Sequence, residues 1–132
     1  YLIYIKEIWN YLIMNFKRYS LYIGRFQPFH SGHSWCIKQM IESGKKVCVA
    51  VMDIHDLEPE NNPYTFDEVL KKISEDMNEE IQKGQMTIIK IPAIESVNYG
   101  RDVGYKLIEH VPPEKIRQIS ATKIRSKNVT NI

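Results

Sequence analysis

The spacing of apolar positions changes character several times along the chain, and each change marks an element. From Tyr19 to Gly24, "YSLYIG", apolar and polar residues alternate, which predicts a first strand. From His30 to Ser43 the period becomes helical. His33, Ile37, Met40 and Ile41 share one face, and Gly44 just past the end supplies a stop. "KVCVAVMD" is a continuous apolar run of strand length, the pattern of a parallel strand covered on both faces. A polar loop with two prolines, "IHDLEPENNPY", follows. "TFDE" then reads as a capping box, with Thr65 as N-cap and Glu68 three residues on. Phe66, Val69, Leu70, Ile73 and Met77 form the apolar stripe of a second helix that runs to Gly84, and "QMTIIKI" reads as a third strand. Past Pro92 the pattern weakens. "YKLIEHV" is expected to form a short fourth strand, and a final helix is expected to begin near Ser120.

Strands alternating with helices predict a βαβαβ order. The fold class is therefore α/β, a compact Rossmann-like parallel sheet with right-handed crossovers and helices on both faces. A length of 132 residues suits a single domain. Residues 1–13 read as an extension, because Tyr1, Ile5, Ile8, Trp9 and Leu12 fit one helical face that would cap the domain or meet a partner. The domain proper is expected over residues 14–132, with Met14 as a candidate original start. No internal repeat or low-complexity segment interrupts it.

Composition narrows the function classes. Apolar residues at 43% and charged residues at 26% are an ordinary globular balance. A net charge of +2 is too small to suggest a nucleic-acid or membrane partner. The charge is unevenly spread, however. Asp53 to Glu80 holds ten acidic residues and two lysines, whereas Lys115 to Lys127 holds five basic residues and no acidic one. Two solvated faces of opposite sign would explain this, and so would a basic tail that holds an anion. Cys36 and Cys48, both inside apolar periodic segments, do not suggest a disulfide framework, so a cytoplasmic location is expected. No apolar run approaches the roughly 20 residues needed to span a bilayer, and the first residues make a poor signal peptide.

The stretch that carries chemistry is "GRFQPFHSGH". In doubly wound sheets, ligands bind beyond the carboxyl ends of the strands, and this stretch lies between the first strand and the first helix. Gly24 is expected to let a phosphate or ribose approach the backbone. Ser31, Gly32 and His33 open a helix whose free N–H groups attract an anion, and His30 and His33 are spaced to face it together. Arg25 offers a planar fork of donors to phosphate oxygens. A histidine near a helix start can instead be a cap or a core hydrogen-bonder. His-x-x-His can also ligate zinc, with Cys36 on the next turn as a further ligand. A second element, "ISATKIR", places Ser120 as an N-cap, Thr122 in the first turn, and Lys123 and Arg125 as charge. That set suits the outer phosphates of a triphosphate.

Taken together, "GRFQPFHSGH" and "ISATKIR" resemble the nucleotidyltransferase superfamily with HxGH and ISxTxxR signatures. The Gly-Arg-Phe-Gln-Pro segment most resembles archaeal-type nicotinamide-nucleotide adenylyltransferases and their cytidylyltransferase-like relatives. "NNPYTFDE" is similar to a segment that opens the second helix in that group, although Val69 stands where relatives usually carry an arginine. The resemblance covers residues 19–127. It implies transfer of a nucleoside monophosphate from a nucleoside triphosphate to a phosphorylated small molecule, with release of pyrophosphate. ATP is the expected donor and nicotinamide mononucleotide a possible acceptor. CTP with a phosphorylated alcohol or sugar is the alternative, and a non-catalytic nucleotide-binding module is a further one.

On that resemblance, His30, His33 and Arg125 are the catalytic candidates. Gly24, Arg25, Phe26, Gly32, Ser120 and Thr122 join them as nucleotide contacts, and Arg101 and Asp53 are weaker candidates for the acceptor. Lys38 is a weaker candidate still. Magnesium is expected to arrive on the triphosphate, with no dedicated protein metal site. A homo-oligomer is a further expectation by analogy with small members of the superfamily.

Overall fold

The computed structural model describes residues 18–101, 104–118 and 124–125. Within them, strand β1 spans Tyr19–Gly24, helix α1 Ser31–Glu42, strand β2 Lys46–Asp53, helix α2 Phe66–Asp76, helix α3 Asn78–Gln82, strand β3 Met86–Pro92 and helix α4 Glu114–Arg117. The described strands make one sheet in the order β1-β2-β3, parallel throughout. Tyr19 aligns with Lys46, and Val47 with Met86, so all three strands end at the same edge of the sheet.

This register sets the core. Val47, Val49 and Val51 sit at alternate positions of β2 and point to one face, where Tyr22 of β1 and Met86 and Ile88 of β3 join them. Ile37 and Met40 of α1 pack there, as do Val69 and Ile73 of α2 and the buried Met77. The fold is thus α/β and Rossmann-like, as the alternation implies. Among the described residues, however, both long helices share that one face. No described helix covers the other, where Leu21 and Ile89 stay exposed.

Two expectations about the elements need correction. The second helix does not run unbroken to Gly84. Met77, with φ −113° and ψ 23°, separates α2 from α3. Its neighbours Asp76 and Asn78 are weak helix formers, while its own side chain is fully buried in the core. The second correction concerns "YKLIEHV", residues 105–111, which forms no strand. Tyr105, Leu107, Ile108 and Val111 are exposed, and no neighbouring strand pairs with the segment. A strand-like pattern forms a strand only when a partner supplies its hydrogen bonds. The expected extension at residues 1–13 and the expected final helix start at Ser120 lie outside the described residues.

Candidate functional site

β1 delivers the chain to the carboxyl edge of the sheet at Gly24, and α1 leaves from the same edge at Ser31. The intervening loop is not open. Phe26 adopts a left-handed conformation with φ 53° and folds its ring back over Gly24. A Cβ on Gly24 would lie 2.7 Å from that ring. Gly24 is therefore small to admit Phe26, a demand separate from the expected approach of a phosphate to its backbone. Phe26 itself, expected among the nucleotide contacts, is 2% exposed and belongs to the core with Phe29.

His30 and His33 form one unit at the start of α1. His30 is the N-cap, and its Nδ1 accepts from the Gly32 N–H at 3.0 Å. His33 Nδ1 accepts in turn from the His30 main-chain N–H at 3.1 Å. The rings stack with centroids 3.8 Å apart, and Phe29 also stacks with His33 at 5.5 Å. The Phe26 ring meets His33 edge-on at 4.8 Å. Gly32 makes room for this arrangement, since a Cβ there would lie 2.8 Å from the His30 ring.

These bonds decide the protonation state. A main-chain N–H can only donate, so both Nδ1 atoms are acceptors and both neutral rings carry their proton on Nε2. Burial lowers the pKa of each histidine. For His33 it falls to about 3, with the adjacent His30 pushing the same way. The pair thus offers neutral Nε2–H donors rather than imidazolium ions. The cap reading of the sequence is met through Nδ1, and the Nε2 atoms take no part in it.

Two further links tie this loop to distant parts of the chain. Arg25 Nη1 makes a long contact of 3.5 Å with Oδ1 of Asn62, a residue with no exposed surface. Asn62 Nδ2 donates to the Glu58 carbonyl at 2.9 Å, and its own carbonyl accepts from His55 Nδ1 at 2.7 Å, which shapes the loop before α2. Arg125 Nη1 donates to the Gln27 carbonyl and so lies against the histidine loop. α4 lies against the start of α1, with Ile116 Cγ2 3.9 Å from the position of a Cβ on Gly32.

The remaining sequence candidates are scattered. Asp53 ends β2 and pairs with Lys90 at 3.4 Å; both line a depression with Ile91, Pro92 and Ala93. Arg101 lies in the irregular segment after β3, and Lys38 is exposed on α1. Ser120, Thr122 and Lys123 lie outside the described residues. Among the described residues, no group of three His, Cys, Asp or Glu side chains could hold a metal ion. No helix among them is long and apolar enough to cross a membrane.

The sequence reading passed over Gln27, Asn62 and Tyr64. For Gln27 a signal was present. An amide between Phe26, Pro28 and Phe29 is a polar group in an apolar setting, and such groups are buried only with partners.

Part of the chain is similar to known proteins. Residues 21–68, which run from β1 through the capping box of α2, match the family described as Cytidylyltransferase-like. A nicotinamide-nucleotide adenylyltransferase of Caldivirga maquilingensis is 31% identical over 78 residues, 58% of this chain and 44% of that protein. One from Thermococcus sibiricus is 27% identical over 57% of this chain and 41% of its own length. One from Halobacterium salinarum is 36% identical over 42% of this chain and 31% of its own. The chain thus spans less than half the length of these curated relatives. Residues 21–68 are thus a cytidylyltransferase-like segment, and archaeal nicotinamide-nucleotide adenylyltransferases are distant relatives over part of the chain.

Proposed function

We propose that this protein is a nucleotidyltransferase that moves the nucleoside monophosphate of ATP onto a phosphorylated small molecule and releases pyrophosphate. The observation that carries the reading is the stacked histidine pair, whose Nδ1 atoms are both tied to the backbone so that the Nε2–H donors remain for a ligand. A phosphate oxygen of the acceptor attacks the α-phosphorus, the bond to the bridging oxygen breaks, and the electron pair leaves with pyrophosphate. No protein nucleophile takes part. Placement of two bound reactants contributes roughly 7–11 kcal/mol, and each donor to developing charge roughly 2.7–4 kcal/mol. Placement is the larger effect.

In this reading the histidine Nε2–H groups bond the α- and β-phosphate oxygens, and Arg125 neutralises the outer phosphates with Ser120 and Thr122. Arg25 stands at the mouth of the loop for the triphosphate or the acceptor, and Arg101 and Asp53 remain candidates for the acceptor. The donors at the loop are neutral histidines and arginines, which suit anionic oxygens and not a cation. Magnesium therefore belongs to the substrate, carried on the triphosphate with most of its waters. Nicotinamide mononucleotide is the first acceptor to try, because the adenylyltransferase relatives act on a nicotinamide nucleotide.

Two other readings have specific support. The matching family is described as Cytidylyltransferase-like, which favours CTP with a phosphorylated alcohol or sugar. Val69, buried in the core where relatives usually carry an arginine, favours nucleotide binding without transfer. Calorimetric titration with magnesium–ATP and magnesium–CTP separates the bases, and binding of neither refutes the phosphate site. Pyrophosphate release with nicotinamide mononucleotide, glycerol 3-phosphate or phosphocholine then separates transfer from binding.

A further inference from the structure

Gln27 is 3% exposed, and both ends of its amide are in use. Its Nε2 donates to the Tyr64 carbonyl at 2.9 Å, and its Oε1 accepts from the Tyr64 N–H at 2.9 Å. This reciprocal pair of bonds, normally exchanged between two backbones, is made here by one side chain. Tyr64 immediately precedes Thr65, the N-cap of α2. The main-chain carbonyl of the same Gln27 accepts from Arg125, 98 residues away. One residue therefore joins the histidine loop, the entry to the second helix and Arg125.

We propose that Gln27 is a positioning residue for Arg125. Its side chain pins the loop to the backbone at Tyr64, and its carbonyl then holds the guanidinium against the loop that carries the histidine pair. The inference rests on the nucleotide-transfer reading and deepens it, by assigning what keeps the cation in register with the phosphate donors. An arginine held in place before the ligand arrives loses less freedom on binding than one that must be ordered by the ligand. Glutamate at position 27 would keep the acceptor for the Tyr64 N–H but turn a carboxylate towards the Tyr64 carbonyl. Methionine would fill the same volume and satisfy neither group.

The test uses the full chain with Gln27→Glu, Gln27→Met, Arg125→Ala and the double variant Gln27→Glu/Arg125→Ala. Magnesium–ATP affinity is read by calorimetry and folding by urea denaturation. The expected result is a folded Gln27→Glu protein that binds ATP about tenfold more weakly. Adding Gln27→Glu to Arg125→Ala should cost no further affinity, because the residue acts through that arginine. A merely structural glutamine would give losses that add. Additive losses, or wild-type affinity in both single Gln27 variants, would overturn the inference and leave the transferase reading standing. Failure of both Gln27 variants to fold would make Gln27 a structural residue and overturn it as well. Absence of nucleotide binding by the wild-type protein would instead remove the transferase reading, and this inference with it.

Discussion

His33→Asn tests the electrostatics of the site without any knowledge of the substrate. The Oδ1 of an asparagine can replace Nδ1 as acceptor for the His30 N–H, so the cap survives while the titratable ring is removed. In the wild-type protein the folded pKa of His33 lies near 3, held down first by burial and then by His30, against an ordinary value of 6.5. As pH falls below 6.5 the unfolded chain takes up a proton that the folded chain refuses, so stability is lost across the window from about 6.5 to about 3. Between pH 7.5 and 5.0 the unfolded histidine gains nearly a full proton and His33 gains almost none. Integration over that span gives a loss of about 2 kcal/mol.

Urea denaturation of both proteins at the two pH values is the assay. Carboxylates contribute equally to both and cancel in the comparison. With a typical urea dependence, 2 kcal/mol moves the wild-type midpoint by about 1 M more than that of His33→Asn. His30, whose pKa is also lowered by burial, stays in both proteins and so contributes to both. Equal losses of stability in the two proteins would show that His33 titrates normally, and the neutral-donor assignment would fall. Nitrogen NMR of the wild-type rings at pH 7 gives an independent reading, since both should appear as Nε2–H tautomers.

The same His33→Asn protein should show turnover reduced about 10²–10³-fold once an acceptor is found, because the donor nitrogen is gone while the fold persists; near-normal turnover would refute the role given to the pair. Arg125→Ala should chiefly weaken magnesium–ATP binding in calorimetry, and unchanged affinity would detach the C-terminal segment from the site. Gly24→Ala forces a methyl group within 2.8 Å of the Phe26 ring, so it should lower the urea-derived stability by about 1–3 kcal/mol. An unchanged midpoint would mean that Phe26 does not occupy that space.

Some of this molecule was readable from residue types alone, and the division has physical causes. β1, β2 and the Thr65 capping box are set by neighbours in sequence, through side-chain period and a four-residue hydrogen-bond motif, so they could be read directly. The failed strand at 105–111 had the right pattern, but strand formation depends on a partner edge that no local pattern reports. Gly24 ends β1 as expected, but the demand that Phe26 makes on it was not legible, because it comes from the backward turn of Phe26, a backbone state rare for a bulky residue. Gln27 carried a signal of burial in its apolar neighbours, but not of its partners, which lie 37 and 98 residues away.

The histidines are the instructive case. At sequence level a cap and a phosphate ligand look like rival fates for His30 and His33. Imidazole has two nitrogens, and a spacing of three lets each ring accept a backbone N–H at the helix start through Nδ1. The structural role leaves the donor on the other nitrogen. Tying both Nδ1 atoms fixes both protons on Nε2, and stacking between neighbouring rings holds His33 against rotation before any ligand arrives. Glycine between them follows from the same demand, since a Cβ at position 32 would displace the His30 ring and break the cap and the donor geometry together.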